Sequence, residues 1–248
     1  IYTLSLHDAL PICVSDLRTG RSGGEGSSTL AGWGVYLLIL LRRFRVQVVA
    51  WVLPLWLLVS ITVPSYESIY PSLETRAVLI EQMRKSPGTR LLYGYVPAPG
   101  RLGQLLQWET GTFLLVCTAL MASLLTCRVL RGDEDEGFVE VLRATGVGRI
   151  VPFLVPMALV WAVVGVLSVG VGGILIWQTR SIGELTVSGA WALAGTMCVA
   201  GWAFSAFAAV ASQLGRQVGH VRSLSMLALA AAFGVRVAAD EEIGRAHV

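Results

Sequence analysis

From Ile150 to Thr179, 30 consecutive residues carry no charged side chain, and from Leu185 to Gly215 there are 31 more. Few soluble folds could bury two such runs in close succession. A hydrocarbon core of ~30 Å asks for about 20 apolar residues at a helical rise of ~1.5 Å each. Inside lipid every backbone amide must find its partner within its own helix or in a closed barrel. Barrel strands alternate over ~10 residues, whereas these runs are continuous, so helices are predicted. Val46–Tyr66 and Thr110–Cys127 are likewise uncharged, and Ser223–Ala239 is apolar apart from Arg236. The resulting spans are about 46–66, 110–127, 152–177, 186–212 and 223–239. Composition agrees: 54% hydrophobic, 14% charged and a mean hydropathy of +0.67, against about 25% charged residues in soluble domains. The predicted fold class is all-α, a polytopic helical membrane protein.

Two flanking segments need separate readings. Leu30–Leu41 is apolar but too short to span, and it runs into Arg42, Arg43 and Arg45. An N-terminal interfacial helix is expected there, preceded by a flexible Gly/Ser-rich tail over 13–29. Residues 67–108 form a long segment outside the membrane that is partly helical. Over 72–85, Leu73, Ala77, Ile80 and the stem of Arg84 share one side, and Pro87, Pro97, Pro99 and Gly100 then break the helix. This segment would cap the spans or gate an exit. The chain opens IYTLSLHDALPI (1–12) and closes IGRAHV (243–248). Both strings match translated sequencing adapters, so the expected membrane domain is 30–242.

Charge sets the orientation. If residues before Val46 are cytoplasmic, inner segments hold Arg18, Arg21, Arg42, Arg43, Arg45, Arg128, Arg131, Arg143, Arg149, Arg216 and Arg222. Outer ones hold Arg76, Arg84, Lys85, Arg90, Arg101 and Arg180. Eleven against six places the N-terminus in the cytoplasm. Tyr66, Tyr70, Trp108 and Trp177 then fall at the outer interface as aromatic anchors.

Residues 128–149 contain nine charged side chains. At a membrane centre each would cost ~2.5–3.5 kcal/mol, about 20–30 kcal/mol together, so the segment is a water-exposed loop between spans two and three. Asp133 and Glu136 have the spacing of a capping box, with Asp in place of Ser or Thr. Phe138, Val141, Leu142 and Thr145 follow at i, i+3, i+4, i+7. Glu140 can pair with Arg143, and Gly146 or Gly148 can end the helix. A short amphipathic helix is predicted, whose apolar stripe packs on the protein's own spans, on lipid headgroups or on a partner. The acidic run lacks the spaced oxygen ligands and glycine of a calcium loop.

Spans three and four are rich in small residues. Ser168 and Gly172, Ser205 and Ala209, and Ala208 and Ser212 are small-xxx-small pairs that let helices approach closely. Pro54, Pro152 and Pro156 are candidate kink sites. Cys117, Cys127 and Cys198 sit in apolar runs as small apolar residues, and His220 is a solvated loop residue. The chain has no GxxxxGK[ST], no HExxH and no nucleophile–base constellation. The three middle spans hold no ionisable residue other than cysteine, which argues against an ion-coupled pump or an intramembrane hydrolase. The chain is thus expected not to be an enzyme. Neither cofactor, metal nor nucleic acid is implied.

LRRFR before span one, Tyr70-Pro71, a long outer segment, EGFVEVLRATGVGR after span two, a Gly/Ala-rich pair of spans and QLGRQVGHVR together resemble bacterial ABC transporter permeases of the type-2 exporter class. The group most similar is that of exporters of polyketide antibiotics. The resemblance covers about 30–240. It is most specific at Glu134, Glu136, Glu140, Leu142, Arg143, Ala144, Gly148 and Arg149. It implies a separate ATP-binding-cassette ATPase subunit, which docks on a coupling helix in the first cytoplasmic loop. The coupling residues are then Asp133, Glu134, Glu136, Phe138, Glu140, Val141, Leu142 and Arg143. It implies also a second, C-terminal permease half, location in the bacterial plasma membrane amid its lipid, and export of hydrophobic or amphipathic small molecules. The competing reading of the same residues is a non-transporting membrane scaffold or receptor subunit.

Overall fold

The computed structural model describes residues 30–69, 72–94, 101–135, 137, 140, 147–215 and 217–246; at 87, 90, 91, 133 and 241–246 it describes the backbone alone. Among the described residues, seven helices carry the architecture. They are α1 (Trp33–Ile69), α2 (Leu73–Lys85), α3 (Pro87–Tyr93), α4 (Leu102–Gly132), α5 (Val151–Gln178), α6 (Val187–Leu214) and α7 (Val218–Ala246). Among the described residues there is no strand. Five helices, namely α1, α4, α5, α6 and α7 up to Asp240, are long and apolar enough to cross a membrane. The chain is an all-α, multi-pass membrane protein.

The predicted interfacial helix is not separate. From Trp33 onward, the apolar stretch ending at Leu41 and the first span run together in the 37 residues of α1, about 55 Å at ~1.5 Å per residue. Two features of the sequence explain the continuity. No glycine or proline occurs between Gly34 and Pro54. A single seam, Tyr36, Leu40, Phe44, Val52, Leu55, Val59 and Val63, is buried, and half-buried Val48 bridges Phe44 and Val52, so the row keeps the three- and four-residue spacing of one helical face. Arg42, Arg43 and Arg45 lie off that seam and are exposed.

Pro64 lies inside α1 and has no N–H for the carbonyl of Ser60, four residues back. The Gln178 side chain from the end of α5 donates to that carbonyl instead, at 3.2 Å. Pro152 falls in the first turn of α5, where a missing N–H costs nothing.

Small residues set the helix crossings. All three predicted small-xxx-small pairs are buried. A methyl group at Gly172 would press on Ala194 at 3.1 Å, and one at Gly170 would overlap the ring of Trp56. That ring lies across α5 and donates from Nε1 to the Leu167 carbonyl, at 3.1 Å. The buried hydroxyls of Thr118, Thr126 and Ser225 donate to carbonyls four residues back at 2.7, 2.8 and 2.9 Å, which removes the cost of burying them. Buried Cys127 lies 3.6 Å from the Ser225 hydroxyl.

The connections sort into two ends. At one, the amide of Gly148 donates to the Ala31 carbonyl at 3.0 Å, and Arg128 reaches Gln47 at 3.1 Å. At the other end, α2, α3, the start of α4 and the 179–186 turn gather.

Candidate functional site

The predicted coupling segment begins differently from expectation. Asp133 does not start a new helix. The turn Asp133–Asp135 continues α4 without a break, after a π-helical turn at Arg128–Gly132. Gly137, at φ 72°, then donates to the Glu134 carbonyl at 3.0 Å. That left-handed turn closes the helix, as a glycine does at many helix ends.

Two of the acids turn back onto the protein. Glu134 pairs with Arg131 at 2.7 Å and Asp135 pairs with it at 3.3 Å. Asp135 also accepts from the amide of Val218, the first residue of α7, at 3.3 Å. A carboxylate there satisfies an orphan amide and complements the positive end of the helix. Sequence reasoning did not find this cap. Its signal was Gln217 just before α7, where a local Ser, Thr, Asp or Asn would normally stand. Glu140 is helical and exposed. Glu136, Phe138, Val141, Leu142 and Arg143 lie outside the described residues, as does the side chain of Asp133.

The opposite end is built more fully. Ser72 caps α2 and accepts from the Thr75 amide at 3.2 Å. The helix buries Arg76 and Ile80. The expected inward side was Leu73, Ala77, Ile80 and Arg84, but Leu73 is 53% exposed and Ala77 is exposed too. The helix is rotated because Arg76, 2% exposed, reaches inward to Glu184, with Nη1 to Oε2 at 2.5 Å. The same Glu184 oxygen accepts from the Leu102 amide at the start of α4, at 2.9 Å. One carboxylate thus joins α2, α4 and the turn between α5 and α6. The Arg76 hydrogen bond, then that from Leu102, holds the Glu184 carboxyl below its ordinary pKa.

A second junction lies alongside. Arg236, the residue that interrupts the fifth span, donates to the carbonyls of Leu92 at 3.3 Å and Tyr93 at 2.7 Å, and it pairs with Asp240 at 3.5 Å. These are the last carbonyls of α3, at the negative end of that helix. Gly94 follows at φ 81°, and any side chain there would collide with Asp240. Trp108 donates to the Gly94 carbonyl at 3.2 Å and packs on Tyr93, with ring centroids 5.2 Å apart. It is 7% exposed, so Trp108 is an internal brace, not the surface anchor the sequence suggested. Trp177 is 69% exposed and lies under Arg180 at 4.9 Å.

Between these junctions lies a cavity of about 900 Å³, large even among pockets that hold small molecules. Leu106, Trp108, Leu115, Leu175 and Leu193 give it apolar walls, and Gln104, Gln107, Thr112, Thr186 and Thr196 supply polar groups. Arg101, Glu184, Arg236 and Asp240 supply its charges. A π-helical turn at Gln107–Gly111 forms part of the wall, and such turns recur at functional sites. No hydrophobic period reveals a cavity of this kind. Its sequence traces are Arg236 within an apolar run and Glu184 in a short turn between two others.

No family profile matches the chain. Over 227 residues it is 30% identical to the multidrug efflux system permease protein Rv1217c of Mycobacterium tuberculosis. The match covers 90% of this chain and 40% of that protein. The chain therefore spans about two fifths of the length of the permease it matches, and it is a membrane protein similar to an efflux permease.

Proposed function

We propose that the chain is the N-terminal permease half of an ATP-driven ABC exporter, which moves hydrophobic or amphipathic small molecules such as antibiotics across a bacterial plasma membrane. The carrying observation is the 30% identity to a multidrug efflux permease, sustained over 90% of the chain. In this reading ATP is hydrolysed on a separate ATP-binding-cassette subunit, and a second permease half supplies the remaining spans. The N-terminus and the Arg131 end face the cytoplasm, where inner-loop arginines are favoured. Asp133, Glu134, Glu136, Phe138, Glu140, Val141, Leu142 and Arg143 form the docking surface for the ATPase. The link from Asp135 to the Val218 amide gives that surface a direct hold on α7, so movement at the ATPase would tilt a whole span.

Co-purification from membranes tests the reading. The wild-type chain should capture an ATP-binding-cassette ATPase, and Leu142→Asp should abolish capture while leaving insertion intact. A scaffold or receptor subunit would insert equally well and capture no ATPase. Capture undiminished by Leu142→Asp would remove the docking assignment.

A further inference from the structure

The charges around the cavity do not balance. Glu184 is held by Arg76 and the Leu102 amide, and Asp240 pairs with Arg236, which also serves the α3 carbonyls. Arg101 lines the cavity and is exposed at its opening. Among the described residues no carboxylate lies within ion-pair distance of its guanidinium; Glu184 feels its charge from further off but is already held by Arg76. The lining itself holds two arginines and two carboxylates; counting Arg76, buried behind Glu184, three arginines meet two carboxylates. The first turn of α6, which also lines the cavity through Gly189 and Ala190, carries no acidic residue, so its positive end adds to the same field. Below this cationic rim the walls are Leu106, Leu115, Leu193 and the Trp108 ring.

We propose that this cavity binds a single-headed anionic amphiphile, with its carboxylate, sulfate or phosphate head on Arg101 and its apolar body against Trp108 and Leu193. A neutral or cationic amphiphile could fill the same volume, but it would leave the excess positive charge of the three arginines unmatched. The proposal rests on the cavity and not on the exporter reading. Binding is measured without the ATPase, so either reading can fail alone.

The test uses the full chain in phosphatidylcholine nanodiscs with a dodecanoate bearing a diazirine near its chain end, and cross-links are mapped by mass spectrometry. Saturable labelling of Trp108, Leu115 and Leu193 is expected. Unlabelled dodecanoate should displace it, and methyl dodecanoate and dodecylamine should not. Arg101→Gln, at an exposed side chain, should weaken binding about tenfold, the size of one charge-assisted hydrogen bond. Ala192→Trp should block labelling by filling the cavity with Arg101 intact. Repeating the labelling in phosphatidylglycerol discs separates two sources of the same head chemistry. Loss of labelling there assigns the site to anionic lipid; persistence assigns it to a free amphiphile. An Arg101→Gln effect under twofold, equal displacement by the methyl ester, or labelling spread over the outward-facing Val166 and Val199 would overturn the proposal.

Discussion

Replacing Glu184 with glutamine tests what holds the α2 helix to the bundle. Arg76 is 2% exposed, so the Glu184 carboxylate acts on a cation in a low-dielectric site, and replacing it removes that charge–charge attraction. Breaking a fully buried pair typically costs ~3–5 kcal/mol. Here the Glu184 side chain is 41% exposed, so water screens part of the interaction, and the glutamine oxygen can still accept from Leu102. About 2 kcal/mol remains, a factor of ~30 in the opening equilibrium of α2 at 1.36 kcal/mol per decade. Hydrogen exchange over Leu73–Lys85, normalised to the intrinsic rate, reads that equilibrium. The expected result is about thirtyfold faster exchange in α2, with α5 unchanged. The pH dependence has a definite sign. The Glu184 pKa is lowered in the fold, so its contribution is complete above the unfolded value of ~4.3. It is lost as pH falls through the lower folded value. Wild-type α2 should loosen across that window, and the glutamine variant should not respond. Exchange in Glu184→Gln within threefold of wild type at neutral pH would show that α2 is held by other contacts.

Three further outcomes follow from the same geometry. Gly170→Ala should destabilise the bundle by ~1–3 kcal/mol, because a methyl group there displaces the Trp56 ring. Gly173→Ala, facing open space, should be neutral or slightly stabilising; denaturant titration in detergent separates them. Gln178→Leu should cost about 1 kcal/mol by leaving the Ser60 carbonyl without its donor. Pro64→Ala in that background should restore the loss by supplying a helical N–H. In a chain whose native cysteines are replaced, Ser181→Cys should react in intact cells with a maleimide that cannot cross lipid, and Glu140→Cys should react only after permeabilisation. The reverse pattern would invert the proposed orientation.

The number and nature of the spans were legible in the residues, because chain length across a hydrocarbon core and backbone self-satisfaction are local requirements. The faces that approach closely were legible too: Ser168, Gly172, Ser205, Ala208, Ala209 and Ser212 are all buried, and side-chain size is a property each residue carries with it. The inward turn of Arg76, the seat of Asp135 on α7 and the reach of Arg236 to α3 were not. Their partners stand 108, 83 and 143 residues away, and no periodicity within one segment encodes a contact of that range. Trp108 shows the same division. Its aromatic bulk at the end of an apolar run suggested a surface anchor, and only the carbonyl of Gly94 beside it decided that the ring is buried. Hydrophobicity assigns a segment to the membrane; which polar group meets which is settled when the helices pack, since a buried charge or indole N–H must take whatever partner the assembled bundle brings within reach.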